Sequence, residues 1–185
     1  MDERVILVDE NDLELGEAGK LEVHREGKLH RAFSIFIFDT HDRLLLQRRA
    51  AKKYHSGGLW TNTCCSHPRP GEDLLDAASR RLREEMGIDC PLEKVFSFVY
   101  RAELDNALIE HEFDHVLVGR YDGHPQPNPE EADAWTTVEL DWLGRDIRIH
   151  PHRYTYWLSA CIDEVVGLLT ADYAGQHAIA ASACQ

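Results

Sequence analysis

Residues 61–72 read TNTCCSHPRPGE, and the interpretation of the whole chain starts from this stretch. Two thiols, Cys64 and Cys65, stand beside the imidazole of His67, and Pro68, Pro70 and Gly71 turn the backbone before a helical pattern begins. So stiff a turn holds reactive groups in place at the start of a helix. Two adjacent thiols ahead of it have no evident packing purpose, which singles out Cys65 as a candidate for chemistry.

Downstream, Leu75, Ala78, Leu82 and Met86 fall at spacings of three and four, predicting a helix from Asp73 that stops at Gly87. Its charges run against stability. Arg80 and Arg81 precede Glu84 and Glu85 by four residues, the weaker orientation for a helical ion pair, and the acids sit where the helix dipole disfavours them. Each effect is only about 0.2–0.5 kcal/mol, but the sign leaves Glu85 open to another use. Upstream, RRAAKKYHSGGLW at 48–60 packs Arg48, Arg49, Lys52 and Lys53 into the densest basic cluster of the chain. A solvated basic face and an anion site both explain it.

Further out, 6–16 (ILVDENDLELG) predicts a short strand and turn, and 19–33 (GKLEVHREGKLHRAF) a polar turn across Gly27 that could bring His24 and His30 to one side, with Lys20 just upstream. Residues 34–38 and 44–47 predict a hairpin, and 95–100 and 108–121 two more strands. In an extended 108–121, Glu110, Glu112 and Asp114 share one face while His111 and His115 share the other. Acids facing together fit a solvated surface or a cation between them. Residues 130–143 predict a strand around Trp135 and a short helix. After Pro151, a last helix places Tyr154, Trp157, Leu158, Cys161, Val165, Leu168 and Leu169 on one broad face, and 174–185 read as a mobile tail.

At 185 residues the chain is expected to form one domain, spanning 1–185. It has no apolar run long enough to cross a membrane, and its first residues lack the pattern of a signal peptide, so a cytoplasmic protein is expected. Five cysteines, with only the 64/65 pair close in sequence, do not make a disulfide framework, and a net charge of −13 argues against nonspecific nucleic-acid binding. Eleven histidines are too many to rank without spacing.

Four motifs, HREGKLHRAF, TNTCCSHP, RRLREEMG and EHE, in this order and at these separations, resemble the type I isopentenyl-diphosphate isomerases, a branch of the Nudix superfamily. The similarity spans about 21–169. It implies an α+β fold, the Nudix-type α/β/α sandwich with a mixed sheet, and an enzyme that interconverts isopentenyl and dimethylallyl diphosphate through a tertiary carbocation. By that resemblance the proton-handling pair is Cys65 and Glu112, with Tyr100 in support and Trp157 offering its ring to the cation. Lys20, Arg49, Lys53 and Arg81 would receive the diphosphate. One divalent ion, manganese, zinc or magnesium, would sit among His24, His30, His67, Glu110 and Glu112, and Mg²⁺ would bridge the diphosphate to Glu85, with Cys65 also counted as a metal ligand. No obligate protein partner is implied.

The wider Nudix box is degenerate. Ser66 stands for its leading glycine, Glu72 for its first acid, and Arg80 and Arg81 for its arginine and glutamate. A positive charge at 81 works against the carboxylate cluster of Nudix hydrolases. Pyrophosphate hydrolysis, which the same fold could support, is nonetheless the rival reading. A structural zinc site on Cys64, Cys65 and His67 is a weaker one, since a second Cys/His pair is missing.

Overall fold

A computed structural model describes residues 3–168; the expected tail at 174–185, and Leu169 of the last helix face, lie outside the described residues. In order, the chain forms β1 (Arg4–Val8), β2 (Glu14–Gly19), α1 (Lys20–Glu26), β3 (His30–Phe38), β4 (Leu44–Arg49), β5 (Trp60–Thr61), β6 (Cys64–Ser66), α2 (Leu74–Met86), β7 (Leu92–Glu103), β8 (Ile109–Arg120), β9 (Ala132–Val138), α3 (Leu140–Ile149) and α4 at 156–168.

The sheet is organised on β3. One edge runs parallel to β8 from His30 opposite Glu112 to Phe38 opposite Arg120, and β8 carries β7 antiparallel on its far side. Phe33, Ile35 and Ile37 pack with Ala78, Leu82 and Met86 of α2, while Phe36 and Phe38 pack with Leu143 of α3 and Leu158 and Ile162 of α4. Helices thus cover both faces, which is why β3 reads as a continuous apolar run and not as an alternation. This is the expected α+β sandwich around a mixed sheet. Among the described residues no helix is long and apolar enough to cross a membrane.

The hairpin expected from 34–38 and 44–47 closes at a single pair, Phe38 with Leu44. Beyond that pair β4 leaves to join β9 and β5, and β6 takes the edge of β3 that β4 gives up. The exchange matters for the site, because it sets Cys65 directly opposite Ser34.

Two local expectations are corrected. Residues 20–26 form a helix instead of a polar turn: Gly27 ends it in the left-handed region at φ 64, and Val23 and His24 are fully buried. In α2 both Leu74 and Leu75 stand three or four residues from Ala78, and the structure packs Leu74 inward and leaves Leu75 exposed. The ends of α2 are as predicted. Asp73 accepts from the amides of Leu75 and Asp76, and Gly87 at φ 65 terminates the helix where a Cβ would meet the Gln126 carbonyl at 3.1 Å. Burial of Leu82 and Met86 contributes about 2 kcal/mol each, anchoring the helix that carries Arg81 and Glu85.

Candidate active site

Parallel pairing puts His30 beside Glu112, antiparallel pairing puts Tyr100 opposite Glu112, and α1 lays His24 over the same spot. Strand alternation keeps Glu110, Glu112 and Asp114 on one side, as expected. All three are buried, so the solvated-face reading is wrong. His111 points away and bonds the Gly27 carbonyl at 3.0 Å, and His115 meets Asp12 at 3.1 Å.

The three histidines are oriented for a ligand. His24 donates through Nδ1 to the Lys20 carbonyl at 2.7 Å and His30 through Nδ1 to the Lys28 carbonyl at 2.9 Å, so both turn an Nε2 lone pair inward. His24 Nε2 is buried with no partner, while His30 Nε2 lies 3.2 Å from His67 Nε2, which is itself 3.0 Å from Glu112 Oε1. One ligand atom from each of His24, His30, His67 and Glu112 fits within 4.8 Å. Imidazoles converging on a carboxylate, with the rings of His24 and His30 held from behind by backbone carbonyls, suit a divalent cation. The expected five-ligand set is split, however. Glu110 falls in a second trio with His24 and His55, and Cys65 and Glu85 belong to neither group.

Burial lowers the basicity of His24 to about 4 and of His67 to about 3. Neutral rings are the form that ligates. Although burial raises Glu112, the neighbouring imidazoles of His30 and His67 pull its carboxyl well below the ordinary range, whereas burial, and then the charge of Glu112, push Glu110 up. The Tyr100 hydroxyl reaches both, at 2.6 Å to Glu112 and 3.0 Å to Glu110. Tyr100 is therefore more than a strand aromatic.

The Cys65 thiol donates to Asn62 Oδ1 at 3.0 Å and lies 3.6 Å from Ser34 Oγ, which donates to Asp114 at 2.7 Å. Burial raises its pKa. Its neighbour Cys64 does have a packing purpose, contrary to expectation: it is fully buried between Ile35 and Leu82 in the core. Trp157 packs with Tyr100 and Ala102, against Cys65, and the Arg49 guanidinium stands 5.2 Å from the centre of its ring. A protein cation already occupies the contact that the resemblance assigns to a carbocation.

One open pocket is lined by Cys65, Glu112, Tyr100, Trp157 and by all four expected diphosphate contacts, Lys20, Arg49, Lys53 and Arg81. Three of those four are already paired. Lys20 pairs with Glu3 at 3.0 Å, Lys53 with Glu131, and Arg81 with Glu84 at 2.7 Å, Glu85 at 2.5 Å and Glu131 at 3.1 Å. Burial raises Glu131, yet Lys53 and Arg81 outweigh it and hold its carboxyl at about 2. Among the described residues Arg49 has no carboxylate within ion-pair distance, and the Nε groups of Arg49 and Arg81 are buried without partners. Glu85 accepts from Gln47 as well as Arg81. Arg48 and Lys52, given no role, pair with Asp133 and Glu130 at the surface.

Several site residues escaped the sequence reading. His55, Tyr54, Asn62, Ser34, Gln47 and Glu131 all touch the site or its residues. Asn62 lies inside the opening motif and so had a positional signal. His55 was one histidine of eleven.

The NUDIX domain family matches residues 28–159. Isopentenyl-diphosphate Delta-isomerase 1 of Aromatoleum aromaticum is 63% identical over 93% of this chain and 97% of its own length. The isopentenyl-diphosphate Delta-isomerase of Serratia proteamaculans is 55% identical over 85% and 88%. Among solved structures, a protein from Deinococcus radiodurans superposes with TM-score 0.73 at 20% identity, covering 88% of this chain and 98% of its own. A MutT protein of Methanosarcina mazei gives 0.61 at 14% identity, over 74% and 91%. These structures share the fold. With its motifs, its site and relatives of this identity in agreement, the chain belongs to the isopentenyl-diphosphate Delta-isomerase family, built on a NUDIX domain.

Proposed function

We propose that Cys65 and Glu112 are the two proton-handling groups of the reaction this enzyme carries out, the interconversion of isopentenyl and dimethylallyl diphosphate. The observation that carries the reading is one pocket lined by both groups, with Tyr100 bonded to Glu112 and basic side chains in the same lining. Moving the double bond adds a proton at one carbon and removes one from another, so composition is conserved. Each group is acid in one direction and base in the other.

Glu112 is held by the Tyr100 hydroxyl and two imidazoles, which fixes its carboxylate and shields it from water. Cys65 supplies the second proton position from β6. Arg49 and the unpartnered Nε of Arg81 offer donors to the diphosphate, with Lys20 and Lys53 released from their carboxylates as it enters. His24, His30, His67 and Glu112 would hold a divalent ion, which would supply fixed positive charge to offset the buried acids. Glu85 remains the proposed anchor for Mg²⁺ on the diphosphate. Trp157 would offer its ring to a carbocation in the place that Arg49 leaves as it turns to the diphosphate. We read the chain as one domain, and its four free cysteines among the described residues suit a reducing compartment such as the cytoplasm.

The test is substitution. Cys65→Ala and Glu112→Gln each lower kcat by about 10²–10⁴-fold with unchanged far-ultraviolet circular dichroism, and Cys64→Ala stays active while losing stability. An essential Cys64 with a dispensable Cys65 would assign the wrong thiol.

A further inference from the structure

We propose that Asn62, backed by Thr61 and Thr155, is the positioning residue that aims the Cys65 thiol and ties it to the helix bearing Trp157. Asn62 is fully buried, and its amide cannot be turned over. Nδ2 donates to the carbonyls of Ile35 and Cys64, both at 3.1 Å, so a flipped amide would set its oxygen against two other acceptors. Oδ1 is thereby aimed at Cys65 Sγ, 3.0 Å away. An amide oxygen only accepts, so the proton in this contact belongs to sulfur and the S–H points at Asn62.

The same oxygen receives the Thr61 hydroxyl at 2.9 Å, and Thr61 Oγ1 in turn accepts from Thr155 Oγ1 at 2.9 Å. Thr155 sits at the start of α4: its amide bonds the Trp60 carbonyl at 3.0 Å and its carbonyl accepts from Ser159 at 3.3 Å. Trp157 follows two residues later. Thr61, Asn62 and Thr155 are each fully buried, so a continuous hydrogen-bonded chain joins the root of α4 to the thiol. Buried chains with every member satisfied act as rigid struts.

The two ends of the Asn62 side chain divide the work. Nδ2 serves backbone and pins β6 to β3; Oδ1 serves only the Thr61 and Cys65 side chains. A purely structural asparagine needs the first end alone. The catalytic consequence rests on reading Cys65 as a proton-handling group; the aiming itself does not.

The experiment is infrared spectroscopy of the S–H stretch, with the Cys65 band identified by subtracting the spectrum of Cys65→Ser. Asn62→Ala shifts that band up to the free-thiol position. Thr61→Val, which leaves Asn62 and its backbone bonds in place, shifts it down, because Oδ1 loses its competing donor. In parallel kcat falls about tenfold to a hundredfold in Asn62→Ala, and by less in Thr155→Val, with KM nearly constant in both. If Asn62→Ala does not fold, the Thr61→Val band decides. A Cys65 band that stays put overturns the proposal, and so does a loss confined to KM. Activity retained by Cys65→Ser would instead refute the assignment of Cys65, while the band positions would still judge the role of Asn62.

Discussion

The floor and the mouth of the pocket differ in how their charges are compensated. On the floor the valences are open: His24 Nε2 has no partner, His30 and His67 face each other's ring nitrogens at 3.2 Å, and three buried carboxyls lie side by side on β8. At the mouth three of the four basic side chains are already matched to acids of the protein, Lys20 to Glu3, Lys53 to Glu131, and Arg81 to three glutamates. The floor thus offers donors that a positive ion would complete, while the mouth is a set of ion pairs that, on the proposed reading, a diphosphate would exchange. One end is preorganised and the other is switchable, which suits a site that holds a resident ion and releases a product.

The largest effect expected from this contrast is in metal content. His24→Ala, His30→Ala or His67→Ala lowers divalent-metal affinity by at least about tenfold, and His111→Ala, on the opposite side of β8 and bonded to Gly27, leaves it unchanged. Elemental analysis after dialysis against limiting metal reads this out. Equal loss in all four variants would mean that the floor has no specific site.

At the mouth the expected effect is smaller. Arg81→Gln weakens substrate binding by roughly 1.5–3 kcal/mol, about tenfold to a hundredfold, while Arg83→Gln, at an exposed position beside Asp89, does not. Glutamate at 81 is a poor probe, because it would add a fourth carboxylate beside Glu84, Glu85 and Glu131. Titration calorimetry of both variants separates the accounts. Equal affinities would show that Arg81 only pairs within the protein.

The sequence made the floor more legible than the mouth. Period-two alternation was enough to place Glu110 with Glu112 and to exclude His111, because both faces of β8 are committed. The α2 ends were legible from Asp73 and Gly87. What could not be read was partner exchange over long distances. The edge of β3 passes from β4 to β6, Arg81 meets Glu131, 50 residues away, and Cys64 turns inward while Cys65 does not. Such contacts depend on which strand wins an edge, and no local spacing encodes that. The motif resemblance supplied Arg49, Lys53 and Trp157 as a set, where spacing alone left the basic pair open between a solvated face and an anion site and Trp157 as a core aromatic.

The smallest predicted effect concerns the stem of α2, outside both regions. Arg80 holds the Glu72 carboxyl at about 2, chiefly by direct hydrogen bonds at 2.7 and 2.8 Å. A folded value below the ordinary one adds stability that is complete above about pH 4.5 and is lost as pH falls toward 2. Arg80→Met removes that increment, about 1 kcal/mol or less for a partly exposed pair. Wild type and variant should therefore differ at neutral pH and converge in acid. A constant gap across the range would assign the effect to packing.

The central claim is that floor and mouth together move a proton pair while leaving the diphosphate intact. The direct measurement is incubation of the metal-loaded enzyme with isopentenyl diphosphate in D₂O, following carbon-bound deuterium by mass spectrometry and free phosphate in the same sample. The account predicts dimethylallyl diphosphate carrying solvent deuterium and no phosphate release. Liberated phosphate, or pyrophosphate cleavage without a moved double bond, would contradict it and return the site to the hydrolases whose fold it shares.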